Sequence, residues 1–145
     1  MLAYLDHNAT TPLDQRVYAV METYLREYFG NPSSLHSFGT LARGAVEQAR
    51  EQVAVLANVQ PSQVIFTSGG TEANNFALKG VMMNFPGQRL AVSAIEHASV
   101  LVPARALAEQ GYGLDIVAVD EYGQVTPAAL MASMSAQTRL VSVMA

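Results

Sequence analysis

Apolar residues recur at helical spacing from Asp14 onward, at Val17, Val20, Met21, Tyr24, Leu25 and Tyr28. This pattern predicts an amphipathic helix, stopped by Gly30-Asn31-Pro32-Ser33-Ser34. A second helix is expected from about Phe38 to Ala57, with Leu41, Ala45, Ala49, Val53 and Leu56 on one face. After Asn58 the period changes. Val64-Ile65-Phe66 reads as a brief buried strand ended by Gly69-Gly70, and a helix follows with Ala73, Phe76, Ala77, Gly80 and Val81 on one stripe. Strands are then expected at Leu90 to Ala94, Leu114 to Val119 and Leu140 to Met144, and helices at Val100 to Gln110 and Pro127 to Met134. Strands alternating with helices predict an α/β fold with a mainly parallel sheet and flanking helices. A short extended piece, Ala3 to Leu5, and the polar stretch Asp6 to Pro12 precede all of this.

Composition narrows the chemistry. Half of the 145 residues are hydrophobic and 14% are charged, enough for a sizeable core and too apolar for disorder. The net charge of −4 and the scattered basic residues point away from nucleic acid. No apolar run approaches the roughly 18 residues that span a bilayer. The N-terminus lacks the basic start of a signal peptide, so a cytoplasmic location is expected. There is no cysteine, hence no disulfide and no thiolate in these residues, and the only lysine is Lys79. The three histidines are widely scattered without acidic residues at ligand spacing, which gives no metal signature.

The break Phe66-Thr67-Ser68-Gly69-Gly70-Thr71-Glu72 marks a candidate anion site. The first turn of a helix leaves backbone N–H groups without intrahelical acceptors, and the macrodipole places partial positive charge there. Glycines allow close approach, a threonine hydroxyl adds one directed bond, and phosphate suits such a place. Gly69, Gly70 and Thr71 would make the contacts, with Glu72 turned aside. The competing reading is an ordinary helix start capped by Ser68 or Thr71. Neither a Walker loop nor a G-x-G-x-x-G pattern is present. Glu96 and His97 follow a predicted strand, at the end where open α/β sheets bind ligands. His97 could stack on a planar ring or move a proton there; equally, it could simply cap the next helix. His7 and His36 read as structural residues of polar loops.

Taken in order, "YLDHNATTP", "FGNPSSLH", "VIFTSGGTEANNFALKG", "EHASV" and "LVSVMA" resemble the N-terminal part of a cysteine desulfurase of the NifS/IscS-like group, within the class V pyridoxal-phosphate enzymes. The resemblance runs through essentially the whole chain. It implies part of the large domain of a fold-type-I, aspartate-aminotransferase-like enzyme, with residues 1–13 as an arm lining the active-site cleft and 14–145 as the N-terminal part of the domain that binds pyridoxal 5′-phosphate. It implies that Gly70 and Thr71 hold the cofactor phosphate and that His97 stacks on the ring and assists proton transfer. Asn8, Ala9 and Thr10 would line the substrate side. L-cysteine would be the substrate, L-alanine the product and an enzyme persulfide the sulfur carrier, feeding iron–sulfur or thio-cofactor assembly through an acceptor or scaffold protein. Such enzymes are homodimers.

The same resemblance exposes departures. The family's Schiff-base lysine, its aspartate facing the pyridine nitrogen and its persulfide cysteine lie beyond Ala145. Lys79 stands eight residues after Thr71, about 12 Å along a helix that rises ~1.5 Å per residue, too far to return to an aldehyde near the helix start. No internal aldimine is therefore expected in this chain, which should be inactive alone. The end after an apolar strand reads as a truncation or a cleaved enzyme completed by its own C-terminal part. A selenocysteine lyase or another class V enzyme is the alternative within the superfamily, and a short non-catalytic dimerisation or binding module the alternative outside it. Truncation would leave an open sheet edge and apolar helix faces. The isolated chain should then self-associate in sedimentation velocity, whereas a stable, monodisperse monomer would contradict that reading.

Overall fold

The computed structural model describes residues 3–144. Residues 1 and 2 of the expected arm, and Ala145, lie outside the described residues. The backbone divides into two compact units, Met1–Ile65 and Phe66–Ala145.

The first unit is helical. Asp14 caps α1 (Gln15–Arg26), its carboxylate accepting from the Arg16 N–H at 2.8 Å. The expected apolar stripe is present on α1, yet no residue of this helix is buried. Helix α2 (Ser37–Ala57) is capped by His36, whose Nδ1 accepts from the Gly39 N–H at 3.3 Å. It ends at Asn58, which takes the left-handed conformation (φ 54°) while the Val59 N–H bonds the Ala54 carbonyl at 2.9 Å. The buried residues of α2 are Gly39, Ala42 and Ala54, whereas Leu41 and Leu56 of the expected face are exposed. Gly39 shows why small residues line this side. A Cβ there would sit 2.3 Å from the Ser34 carbonyl oxygen and 2.7 Å from that of Asn31. The Asn31–Ser34 turn, closed by Ser34 N–H to Asn31 O at 3.0 Å, thus lies directly against the start of α2. This accounts structurally for much of "FGNPSSLH" and for His36. A 3-10 turn, Pro61–Gln63, follows.

Val64-Ile65-Phe66 does not form the expected strand: it is extended at Val64 but pairs with no described strand, and Ile65 and Phe66 are exposed. An apolar β-prone triplet becomes a strand only with a ladder partner.

The second unit is α/β, as the alternation predicts. The described residues form one parallel sheet of β1 (Arg89–Ser93), β2 (Gly113–Val117) and β3 (Thr138–Ser142) in the order β2-β1-β3. Leu90 stands opposite Leu114 on one side and Leu140 on the other. Helices α3 (Gly70–Met82), α4 (Ala98–Glu109) and α5 (Pro127–Ser133) complete the unit. The central strand buries Leu90, Ala91, Val92 and Ser93 completely. Leu90 and Val92 pack with Leu78 and Met82 of α3 and with Val100, Ala104 and Leu107 of α4. The core face of α3 is therefore Leu78 and Met82, and not the expected stripe, in which Phe76 is 59% exposed. Helix α3 is apolar on more than one side, so the helical period alone admits two stripes and the packing of α4 selects between them.

At the N-terminal end of the sheet, Arg89 makes a two-pronged contact with Asp115 across β1 and β2, at 2.8 and 2.5 Å. Hydrogen bonding to the Arg89 guanidinium holds the Asp115 carboxyl below its usual range, with the guanidinium charge adding to it against partial desolvation. Gly113 leaves room for this pair, since a Cβ there would lie 2.6 Å from Arg89 Cγ. A carboxylate depressed in the folded state stabilises the fold above its unfolded pKa and loses that contribution as pH falls through its folded value. The pair is only partly shielded, the side chains being 34% and 24% exposed. Asp115→Asn should therefore cost about 1 kcal/mol near neutral pH in urea denaturation. The difference from wild type should vanish in acid. Gly113→Ala should match or exceed that loss by displacing Arg89.

Candidate functional site

Three of the residues singled out in the sequence, Gly70, Thr71 and His97, lie at the starts of two helices that pack against each other in the second unit. Strand β1 ends at Ser93, and a short turn through Ala94 and Ile95 brings the chain to Glu96 and His97. His97 is thus positioned at the C-terminal end of the sheet by the shortness of this connection. Its backbone is extended (φ −61°, ψ 152°), and its Nδ1 accepts from the Ser99 N–H at 3.1 Å, which makes it the N-cap of α4. The capping role is therefore real, and it leaves the ring exposed with Nε2 unpartnered among the described residues. Glu96 is buried and accepts from the Ser142 hydroxyl at 2.7 Å, tying the end of β1 to the end of β3.

Helix α3 begins at Gly70 with Gly69 as N-cap, in an extended conformation and without any side-chain cap. Neither Ser68 nor Thr71 is the cap. Glu72 instead reaches back, its Oε2 accepting from the Ser68 N–H at 2.6 Å and the Ser68 hydroxyl at 2.7 Å. It is turned aside, as the sequence suggests, and it holds the approach to the helix. The first N–H groups of α3 have no intrahelical acceptor. Among the described residues no hydrogen bond engages the Thr71 hydroxyl. A Cβ added at Gly69 or Gly70 would meet nothing within 4 Å, so the space over this helix start is open.

Two residues that the sequence reading passed over connect these helix starts. The Asn74 amide donates to the Ser99 hydroxyl at 2.8 Å, and that hydroxyl lies 2.8 Å from His97 Nδ1. Asn74 is one turn into α3 and Ser99 is buried at the start of α4. The one available hint was a serine two places after a candidate cap. Asn8, Ala9 and Thr10 belong to the first unit, where the Asp6 carbonyl accepts from the Ala9 N–H at 3.1 Å and the Thr10 N–H at 3.4 Å; all three are exposed. Lys79 is half-buried near the far end of α3. Among the described residues there is no cluster fit to hold a metal ion and no helix long and apolar enough to cross a membrane. A groove of about 570 Å³ in the first unit is lined in part by Val20, Tyr24, Tyr28, Ala42, Ala45 and Ala49, and carries none of the candidate residues.

The aminotransferase class-V family pattern matches residues 3–145. The chain belongs to that family. Class-V relatives include the cysteine desulfurase IscS of Dictyoglomus turgidum, 43% identical over 143 residues, which cover 97% of this chain and 36% of the relative. Cysteine desulfurase IscS 1 of Archaeoglobus fulgidus is 42% identical over 144 residues, 98% of this chain and 38% of that protein. Among solved structures, a NifS-like protein superposes with a TM-score of 0.94 at 39% identity, over all of this chain and 40% of its own. SspA in complex with cysteine gives 0.89 at 30% identity, over 97% and 41%. The chain thus spans somewhat more than a third of the length of the relatives it matches, and its α/β unit is part of a fold-type-I class-V domain.

Glu72 provides the test of the helix start. The backbone N–H of Ser68, and next its hydroxyl, hold the Glu72 carboxyl below its usual range. Its hold on Ser68 should be complete above the ordinary glutamate pKa and fail as pH falls through the depressed value. The Ser68 amide resonance should report that transition. Glu72→Ala should abolish it and speed Ser68 amide exchange at neutral pH.

Proposed function

We propose that this chain is the N-terminal portion of a pyridoxal-phosphate-dependent cysteine desulfurase, which takes sulfur from L-cysteine and releases L-alanine. The observation that carries the reading is identity above 40% to cysteine desulfurases along 97% of the chain. The open helix start at Gly70 and its link to His97 support it. In this reading the N–H groups of Gly70 and Thr71 and the Thr71 hydroxyl hold the phosphate, and the glycines keep the approach clear of side chains. The fit is chemical as well as spatial: two backbone N–H donors and a hydroxyl free to donate stand at the positive end of a helix. His97 supplies an imidazole face for the ring and, at Nε2, an exposed ring edge toward the ligand. Asn8, Ala9 and Thr10 line the substrate side, as part of an arm formed by residues 1–13, and residues 14–145 belong to the cofactor domain. When bound, pyridoxal phosphate supplies an electron sink for the bond-breaking at the substrate.

The sulfur-accepting thiol cannot come from these 145 residues, which hold no cysteine, and Lys79 is remote from the helix start. Both the thiol and the lysine are assigned to the remaining length that the relatives possess, and the 145 residues alone are inactive. The parent is a cytoplasmic homodimer that passes sulfur to an acceptor or scaffold protein. Pyridoxal phosphate should bind this chain reversibly and be lost on dialysis. Thr71→Ala should weaken binding about 10- to 150-fold, the ~1.5–3 kcal/mol of a hydrogen bond to a charged group. Borohydride treatment followed by mass analysis should find no pyridoxyl adduct. An adduct on Lys79 would contradict its placement, and absence of any binding would sink the phosphate assignment.

A further inference from the structure

One donor that cannot reverse sets the direction of every bond between Asn74 and His97. The Ser99 backbone N–H, 3.1 Å from His97 Nδ1, can only donate. Nδ1 therefore offers its lone pair, and in the neutral ring the proton resides on Nε2. The Ser99 hydroxyl lies 2.8 Å from the same nitrogen, which has no proton to give, so the hydroxyl donates. With its single proton committed, Ser99 Oγ accepts at its other contact, from the Asn74 amide nitrogen at 2.8 Å. That in turn fixes which end of the Asn74 amide faces α4. Ser99 is buried, so water does not readily replace either partner.

We propose that Ser99 and Asn74 are positioning residues that hold His97 in its Nε2–H tautomer. The ring then presents a hydrogen-bond donor at its exposed edge, toward a ligand group carrying an acceptor oxygen or nitrogen. In this arrangement the neutral ring cannot act as a base through Nε2, because that would require the proton on Nδ1, facing the Ser99 N–H. Asn74 lies one turn into α3, so the same helix that offers Gly70 and Thr71 to an anion also sets the chemistry of the histidine. The consequence for catalysis rests on the cofactor role proposed for His97; the tautomer itself does not.

The test uses the full chain labelled with ¹⁵N-histidine, without ligand, at alkaline pH, read by long-range ¹H–¹⁵N correlation. His97→Gln assigns the signals among the three histidines. Wild type should show the Nε2–H pattern. Ser99→Ala keeps the backbone N–H but removes the hydroxyl bond, so it should move the two ring nitrogen resonances partway toward each other as the Nδ1–H form gains population, and Ser99→Thr, which keeps the hydroxyl, should restore them. Asn74→Ala should shift them in the same direction by a smaller amount, with far-UV circular dichroism unchanged. A wild-type ring protonated on Nδ1, or ring shifts unmoved in both Ser99→Ala and Asn74→Ala, would overturn the proposal. Failure to bind pyridoxal phosphate would remove the proposed function and leave these spectra as they are.

Discussion

The second unit is organised by the burial of one short strand. In β1, Leu90, Ala91, Val92 and Ser93 all have no solvent exposure, so both faces of the strand are covered as well as both edges. A parallel sheet can meet that demand only through crossover helices on its faces. Helix α4 is the crossover from β1 to β2, and it begins only a few residues after the strand ends. His97 therefore owes its place to core packing: the strand must end where its hydrogen-bonded neighbours end, and the helix must start soon enough to return Val100, Ala104 and Leu107 to the sheet. The buried Glu96, bonded to Ser142, fixes the same edge from the β3 side.

That packing also joins the two helix starts. Burying Leu78 and Met82 against α4 sets α3 alongside it, and the apolar interface ends at its N-terminal side in a polar pair, Asn74 and Ser99. A polar pair beside an apolar interface costs free energy unless its members satisfy each other. Here the chain of donors and acceptors runs out at an exposed imidazole, so satisfaction of the core and orientation of the histidine are achieved by the same bonds. Sliding α3 relative to α4 would disturb both at once.

This explains what could and could not be read from the sequence. The elements from β1 to β3 were legible because each is a short apolar run or helical pattern bounded by glycine, proline or polar residues. Boundaries moved by a few positions, as at β3, which begins at Thr138 because that residue pairs with Arg89. What failed depended on a partner. Val64 to Phe66 carries strand composition but lies in no strand among the described residues, and α3 carries two apolar stripes of which only tertiary contact chooses one. On α2, close backbone approach at Gly39 buries the small residues and leaves Leu41 and Leu56 outside. Gly70, Thr71 and His97 stood out because helix starts after strand-like segments have a local signature. Asn74 had none and Ser99 only its place two residues after a candidate cap, since an asparagine or serine in a first or second turn is ordinary until it meets its partner.

Glu72 looks, in the sequence, like an argument against the anion site proposed at this helix start, and the structure engages its carboxylate with Ser68. A second negative charge near a bound anion costs about 1 kcal/mol at 4 Å in water and more where water is excluded. The carboxylate escapes much of that by accepting from the Ser68 N–H and hydroxyl, on the chain before the helix. It is itself favoured by the helix start, and it stiffens the segment that leads into Gly69 and Gly70. The donors of Gly70 and Thr71 stay open because no side chain caps the helix: a glycine stands at the N-cap, and the nearest carboxylate is engaged one step upstream. A serine, threonine or aspartate at position 69 would give a better-capped helix and a poorer anion site, since its oxygen would take up one of the first-turn donors.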